Sequence, residues 1–304
     1  MTGQVWAMLL ALSVLWGGSF FFVEIAVAAM PVLVLVWLRV ALAAAALLVF
    51  LRLTGRAFPR DPAILLAFLG MGMLNNVIPF SLIAWGQTEI SSGLASIINA
   101  MMPVSTVLLA HVLTEDEKLT PAKALGVALG FLGVAVLIGW DALGGIGAAV
   151  LGQLAVLVAT VSYGCAGIFG RRFRQMGVDP VTTAAGQVMA STLLLALPML
   201  VIGQPWAMAM PGGGVWLSTV ALALFSTAFA YVLFFRILAA GGAGIVSLVT
   251  LLVPVSAVIL GAVFLGERLE TRHLAGMALI GTGLLCLDGR LVRHIVRLRA
   301  RHGA

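Results

Sequence analysis

The sequence predicts an all-α polytopic membrane protein, with ten transmembrane helices arranged as two inverted five-helix repeats around a central cavity. Hydrophobic residues make up 62% of the chain and charged residues 9%, and its charge-free runs repeatedly approach or exceed the roughly 20 residues that cross a bilayer's hydrocarbon core. The stretch Ser92 to Leu113, SGLASIINAMMPVSTVLLAHVL, recurs as Ala243 to Phe264, AGIVSLVTLLVPVSAVILGAVF, which marks a duplication of half the chain. Each half holds an odd number of runs, so the second copy must enter the membrane upside down relative to the first.

Helices are the form each run must take, because a lipid-exposed backbone has to satisfy its hydrogen bonds within its own segment. The first run, Val5 to Val23, is followed by Ala26-Val27-Ala28, which resembles a signal-peptidase site. It reads as a span all the same, being longer than a signal core and lacking a basic flank before it. Next come Pro31 to Leu51, Pro62 to Ala84, Ser91 to Leu113 and Pro121 to Gly139. The second half gives Gly147 to Phe169, Pro180 to Ile202, Trp216 to Leu238, Gly244 to Leu265 and Thr271 to Leu287. Asp61-Pro62, Thr120-Pro121 and Asp179-Pro180 each set a capping oxygen before a proline at the first helical position, which fixes three helix starts.

The duplication reaches well beyond its best-matched helix. Trp16-Gly17 corresponds to Tyr163-Gly164, Pro31 to Pro180, Phe80 to Tyr231, and Glu117-Lys118-Leu119 to Glu267-Arg268-Leu269, followed by Gly126/Gly276 and Gly133/Gly283. The units are therefore residues 1–143, residues 144–289 and a basic tail at 290–304.

Orientation follows from the basic residues. With both termini in the cytoplasm, all the lysines and arginines lie inside except Arg268 and Arg272, which lie outside, and Arg39, which lies within a span. Reversing the chain would reverse that bias. The net charge of +6 thus sits in connectors and the tail rather than on one folded face, and it argues against a nucleic-acid partner. Arg290, Arg293 and Arg297 fall on one helical face opposite Leu291, Ile295 and Leu298, a pattern that suits either anionic lipids or a simple topology signal. Cys165 and Cys286 lie inside spans without metal or disulfide spacing, so no metal or cofactor is implied.

Polar residues far from both helix ends carry the functional signal, because hydrocarbon offers them no partner. Asn75 and Asn76 correspond to Ser226 and Thr227, Asn99 to Thr250, and Ser96 to Ser247. An inverted pairing brings these around one midplane point. Any single Ser or Thr also serves as a bond between helices, but the three asparagines together point to a cavity lining. Trp37, Trp85, Trp140, Trp206, Trp216 and Trp6 sit near span ends as an interfacial belt. Trp16, Phe80, Tyr163 and Tyr231 do not, and they offer an aromatic wall or ordinary packing.

Pro79, Pro103 and Pro254 interrupt helices, and Gly93 and Gly244 open the two best-matched ones. These five are hinge candidates for alternating access. Arg39 either receives a substrate carboxylate or pairs with Glu24. No acid lies near the middle of a span, which weakens a carboxylate relay for protons or sodium. The glycines of the fifth and tenth spans, Gly126, Gly130 and Gly133 with Gly276, Gly281 and Gly283, suit close packing, within the bundle or in a weak homodimer.

Trp16-Gly17, Arg39, the helix around Pro254-Val255-Ser256 running into Gly266-Glu267-Arg268-Leu269, and the glycine-rich close from Gly276 to Gly283 together resemble the EamA-type drug/metabolite transporters. The first half departs from that pattern, with Thr114-Glu115-Asp116-Glu117 where the second has Leu265-Gly266-Glu267. The resemblance implies ten helices in inverted repeats, a cavity formed mainly by helices one, three, four, six, eight and nine, and export of amino acids, metabolites or drugs. The branch exporting aromatic amino acids is similar in length and terminal arrangement. The expectation is therefore an inner-membrane exporter of small, partly apolar solutes, with aromatic and other neutral amino acids foremost. A multidrug exporter of the same fold is one alternative, and an intramembrane enzyme or membrane scaffold is another of a different class.

Overall fold

The computed structural model describes residues 3–139, 147–241 and 243–287. Ten helices cover them: α1 Gly3–Val27, α2 Val32–Leu53, α3 Pro62–Gly86, α4 Ser92–Leu113, α5 Pro121–Ile138, α6 Ala148–Gln175, α7 Pro180–Gly203, α8 Gly213–Ala240, α9 Ala243–Phe264 and α10 Thr271–Leu287. Eight are long and apolar enough to cross a membrane, and the last two add shorter apolar helices. Trp140, Asp141 and the basic tail lie outside the described residues, as does the side chain of Ser247.

The three predicted starts have their caps. Asp61 accepts the Ala63 amide at 2.8 Å, Thr120 the Lys123 amide at 3.3 Å, and Asp179 the Val181 and Thr182 amides at 3.0 and 3.2 Å. Each satisfies donors that a helix N-terminus otherwise leaves open. The predicted span opening at Ser91 starts one residue later, because the Ser91 hydroxyl is itself the cap and accepts the Leu94 amide. Helix α4 breaks at Ala100 and Met101, before Pro103, where the proline ring cannot accept a continuous ladder.

The main packing contacts between the halves come in mated pairs. A Cβ at Gly17 would lie 2.1 Å from Ser256 Oγ, and one at Gly164 would lie 3.1 Å from the Thr106 amide. Thus α1 packs on α9 as α6 packs on α4, each through a glycine that lets backbones close. The pairs α3–α7 and α8–α2, and α3–α6 and α8–α1, repeat the same exchange.

Between α5 and α10, Gly126 faces Gly283 and Gly133 faces Gly276, each within 3 Å of the other's carbonyl oxygen once a Cβ is added. As one helix ascends the other descends, so these repeat counterparts run antiparallel and the halves are inverted. Gly126, Gly133, Gly276 and Gly283 are spent inside one chain.

The core runs through the middle of the bundle, where Leu9, Leu12, Ile97, Ile98 and Met101 are fully buried. The outer surface is apolar: Leu66, Val112, Leu197, Leu217 and Val263 are all exposed. In water such a band would be an aggregation surface, whereas in a bilayer it is the solvent-facing side.

Candidate functional site

Asn75 and Asn76 lie in a π-helical turn, Met73–Val77, and Ser226 and Thr227 lie in another, Leu224–Phe229. The two turns occupy corresponding positions of counterpart helices α3 and α8. A π turn adds a residue to the helical ladder and re-aims the side chains beside it, and such turns concentrate at functional sites. Here it also frees a carbonyl: Thr227 Oγ1 donates to the oxygen of Leu222, five residues back, at 2.9 Å.

A buried hydrogen-bond network joins these turns to their neighbours. Asn75 Nδ2 donates to Gln187 Oε1 at 3.0 Å and to Tyr231 Oη at 3.3 Å. Tyr231 in turn donates to Asn76 Oδ1 at 3.0 Å, and Asn76 Nδ2 donates to Ser191 Oγ at 3.0 Å. Ser191 closes on the carbonyl of Gln187 at 2.6 Å. Asn76 and Ser191 are fully buried, so each bond here stands in for one that water would otherwise supply.

Arg39 enters the same belt from α2. It is 7% exposed, donates from Nε to Thr227 Oγ1 at 3.0 Å, and lies with Cζ 3.6 Å from the centre of the Phe80 ring. The expected pairing with Glu24 does not form. Glu24 accepts instead from Gln87 Nε2 at 2.9 Å, and the same nitrogen reaches the carbonyl of Phe20. The reason is position: Glu24 lies in the last turn of α1, at the end where α3 finishes in Gly86 and Gln87.

The remaining predicted residues spread around this centre. Trp16 packs on Phe234 with ring centres 5.6 Å apart, and Tyr163 touches the cores on both sides of it. Ser226 is buried, and its Oγ has no hydrogen-bond partner among the described residues. Asn99 is half-buried at the break in α4, with its Oδ1 likewise unpartnered. Ser96 bonds back to the Gly93 carbonyl at 2.7 Å, and Thr250 is half-buried on α9.

Of the hinge candidates, Pro79 follows the first π turn, Pro103 follows the break in α4, and Pro254 lies inside α9. Gly93 sits under a carboxylate: Glu267 accepts the amides of Ser92 and Gly93 at 2.9 and 3.0 Å, capping α4 from the α9–α10 connector. Gly244 opens α9, and its surroundings lie outside the described residues.

Sequence reasoning missed Gln187 and Ser191. Both are polar residues within a span, as Asn75 is, but neither has a polar counterpart in the other half, so the duplication does not point to them. At comparable positions the first half has only apolar residues, such as Leu38 and Leu42. The belt accordingly draws on α2 and α7 as well as α3 and α8.

The sequence matches the model of the EamA-like transporter family over residues 1–139 and again over 150–287. The chain belongs to the EamA-like transporter family. It is thus a multi-pass membrane transporter of the drug/metabolite transporter superfamily rather than an enzyme. Its two family segments coincide with the two sets of five helices.

Relatives match nearly end to end. An uncharacterized transporter of Bacillus subtilis, YoaV, is 24% identical over 91% of this chain and 94% of its own. A probable amino-acid metabolite efflux pump of Escherichia coli K12 is 29% identical over 89% and 90%. One solved crystal structure superposes with a TM-score of 0.68 at 21% identity, covering 97% of this chain and 99% of the other, a likeness in fold.

Proposed function

We propose that this EamA-family transporter is an inner-membrane exporter of small, partly apolar metabolites, foremost aromatic and other neutral amino acids, working by alternating access. The observation that carries the reading is the buried network from Asn75 and Asn76 to Gln187, Ser191 and Tyr231, which ties counterpart helices together at matched π turns. Helix packing alone does not call for so many polar groups at that depth, where each is worth only about 0.6 to 2 kcal/mol as a helix contact. The Escherichia coli and Salmonella typhimurium relatives named as probable amino-acid metabolite efflux pumps support the solute class, and the relative named inner membrane transporter YedA supports the location.

The substrate meets Asn75, Asn76, Ser226 and Tyr231 at the centre, with Trp16, Phe80 and Tyr163 as walls and Ser96, Asn99, Ser247 and Thr250 along the route. Both termini face the cytoplasm, and residues 1–143 and 144–289 are the two inverted repeats. Pro79, Pro103, Pro254, Gly93 and Gly244 are the places where the helices flex. The first half of α4 packs on α9 under the Glu267 cap, while its second half, Met102–Leu113, leaves α9 and packs on α6.

Flux of labelled phenylalanine, threonine and a cationic drug in reconstituted proteoliposomes tests the reading. Phenylalanine should move above protein-free vesicles, and Asn75→Leu and Trp16→Ala should lower that flux without lowering expression. Failure of all three solutes to move rejects it.

A further inference from the structure

We propose that Arg39 receives the carboxylate of the transported molecule, so that the site selects solutes with an anionic or zwitterionic head over equally apolar amides and amines. The proposal rests on the transport reading and adds the chemical group that decides passage. It starts from a charge that has no counter-charge among the described residues. Arg39 is 7% exposed, its one side-chain hydrogen bond is Nε to the neutral hydroxyl of Thr227, and it forms no ion pair among the described residues. Glu24, the acid within the neighbouring span, is held by Gln87.

A guanidinium at this depth costs several kcal/mol unless a partner offsets it. The Phe80 face and a hydroxyl supply part of that offset, but neither carries charge. The arrangement nevertheless holds the group still. Thr227 Oγ1 spends its own proton on Leu222 O at 2.9 Å, so its lone pairs are left to accept from Arg39 Nε. The ring 3.6 Å below Cζ fixes the guanidinium plane.

With Nε and one face taken, what stays available is the edge bearing the two terminal nitrogens. That edge is the part of arginine that matches a carboxylate in a two-point contact. A single cation suits a monoanionic carboxylate better than a phosphate dianion, which draws paired basic groups. Thr227 lies in the π turn of α8 that precedes Tyr231, and through Tyr231 the belt continues to Asn75. The carboxylate would therefore be bound beside the polar network rather than at the membrane surface.

The test is competition against labelled phenylalanine flux in proteoliposomes by unlabelled phenylalanine, 3-phenylpropionate, phenylalaninamide, phenethylamine and phenyl phosphate. The two carboxylates should compete at concentrations at least roughly tenfold below the amide and the amine, the size expected for a charge-assisted contact. Phenyl phosphate should be no better than the amine. In Arg39→Gln the preference of phenylalanine over phenylalaninamide should vanish, and Arg39→Lys should keep part of it. Equal competition by phenylalaninamide in the unaltered protein overturns the assignment while leaving transport intact, as does phenyl phosphate competing best. An Arg39→Gln protein that loses both ligands in equal proportion also overturns it, whereas absence of any flux removes the transport reading with it. If Arg39→Gln fails to fold, the ligand series in the unaltered protein decides alone.

Discussion

Tyr231 donates its phenolic proton to Oδ1 of Asn76 across 3.0 Å, a bond between α8 and α3, the two helices that the duplication makes counterparts. It is a latch across the repeat axis, and it sits on an asparagine with no exposed surface. Tyr231→Phe keeps the ring and removes the donor to Asn76 and the acceptor for Asn75. The expected loss is about 1 to 3 kcal/mol, because a buried acceptor is left unpaired, with a fall in phenylalanine flux. Pairing Tyr231→Phe with Asn76→Leu should recover stability but not flux. Thermal unfolding in detergent beside proteoliposome flux separates the two effects.

The architecture was legible in the sequence because it rests on features a sequence carries directly. Run length, the Asp-Pro and Thr-Pro starts, the SGLASIIN and AGIVSLVT copies and the charge bias are all local or periodic. The pairing of Gly17 with Ser256 and of Gly164 with the Ser105–Thr106 segment then follows from inversion. The centre was only half legible. Asn75, Asn76 and Tyr231 announced themselves as polar groups at depth, but which neighbour takes each bond depends on helix rotation, which the π turns alter. Arg39 was visible, and its partner was not. Glu24 lies at a helix end and is held by Gln87, a long-range contact that no spacing rule encodes.

The cap on α4 should be worth more than its counterpart. Glu267 takes two amides of a buried helix start, whereas Glu117, its equivalent in the first half, forms a half-exposed ion pair with Arg171. Glu267→Gln surrenders the negative charge at a helix N-terminus and one of the two acceptors. A loss of about 1.5 to 3 kcal/mol is expected, as for hydrogen bonds to charged groups. Glu117→Gln should cost no more than about 1 kcal/mol, the range of exposed pairs. Thermal unfolding of the two variants side by side decides the order, and an equal loss would mean that the α4 cap adds no more than an exposed ion pair.

Stability against acid should depend on Asp179. Burial alone would raise its carboxyl, but the hydroxyl and amide of Thr182, the charge of Arg56 and the Val181 amide outweigh it and hold the carboxyl below its ordinary 3.8. A carboxylate whose folded value is depressed stabilises the fold above the unfolded value. That contribution is lost as the pH falls from about 3.8 through the lowered folded value. Asp179→Asn still caps α7 but neither titrates nor pairs with Arg56. At neutral pH it should cost less than about 1 kcal/mol, and unfolding midpoints read across acidic pH should fall less steeply than in the unaltered protein.

The α5–α10 seam sets the sharpest contrast, because neighbouring glycines of α10 meet different surroundings. A Cβ at Gly276 would lie 2.5 Å from Leu137 Cγ and 2.8 Å from the Gly133 carbonyl oxygen, while at Gly281 nothing lies within 4 Å. A side chain can turn aside, but a helical carbonyl cannot move without parting the helices. Gly276→Ala should therefore destabilise by about 1 to 3 kcal/mol, the cost of overpacking. Gly281→Ala should instead stabilise by about 0.5 to 1 kcal/mol, as expected where alanine replaces glycine in an open helical position. Both proteins should elute with the mass of the unaltered one, since this seam lies within a single chain. Equal thermal stability of the two variants would mean that α5 and α10 do not approach closely enough for their carbonyls to exclude a methyl group.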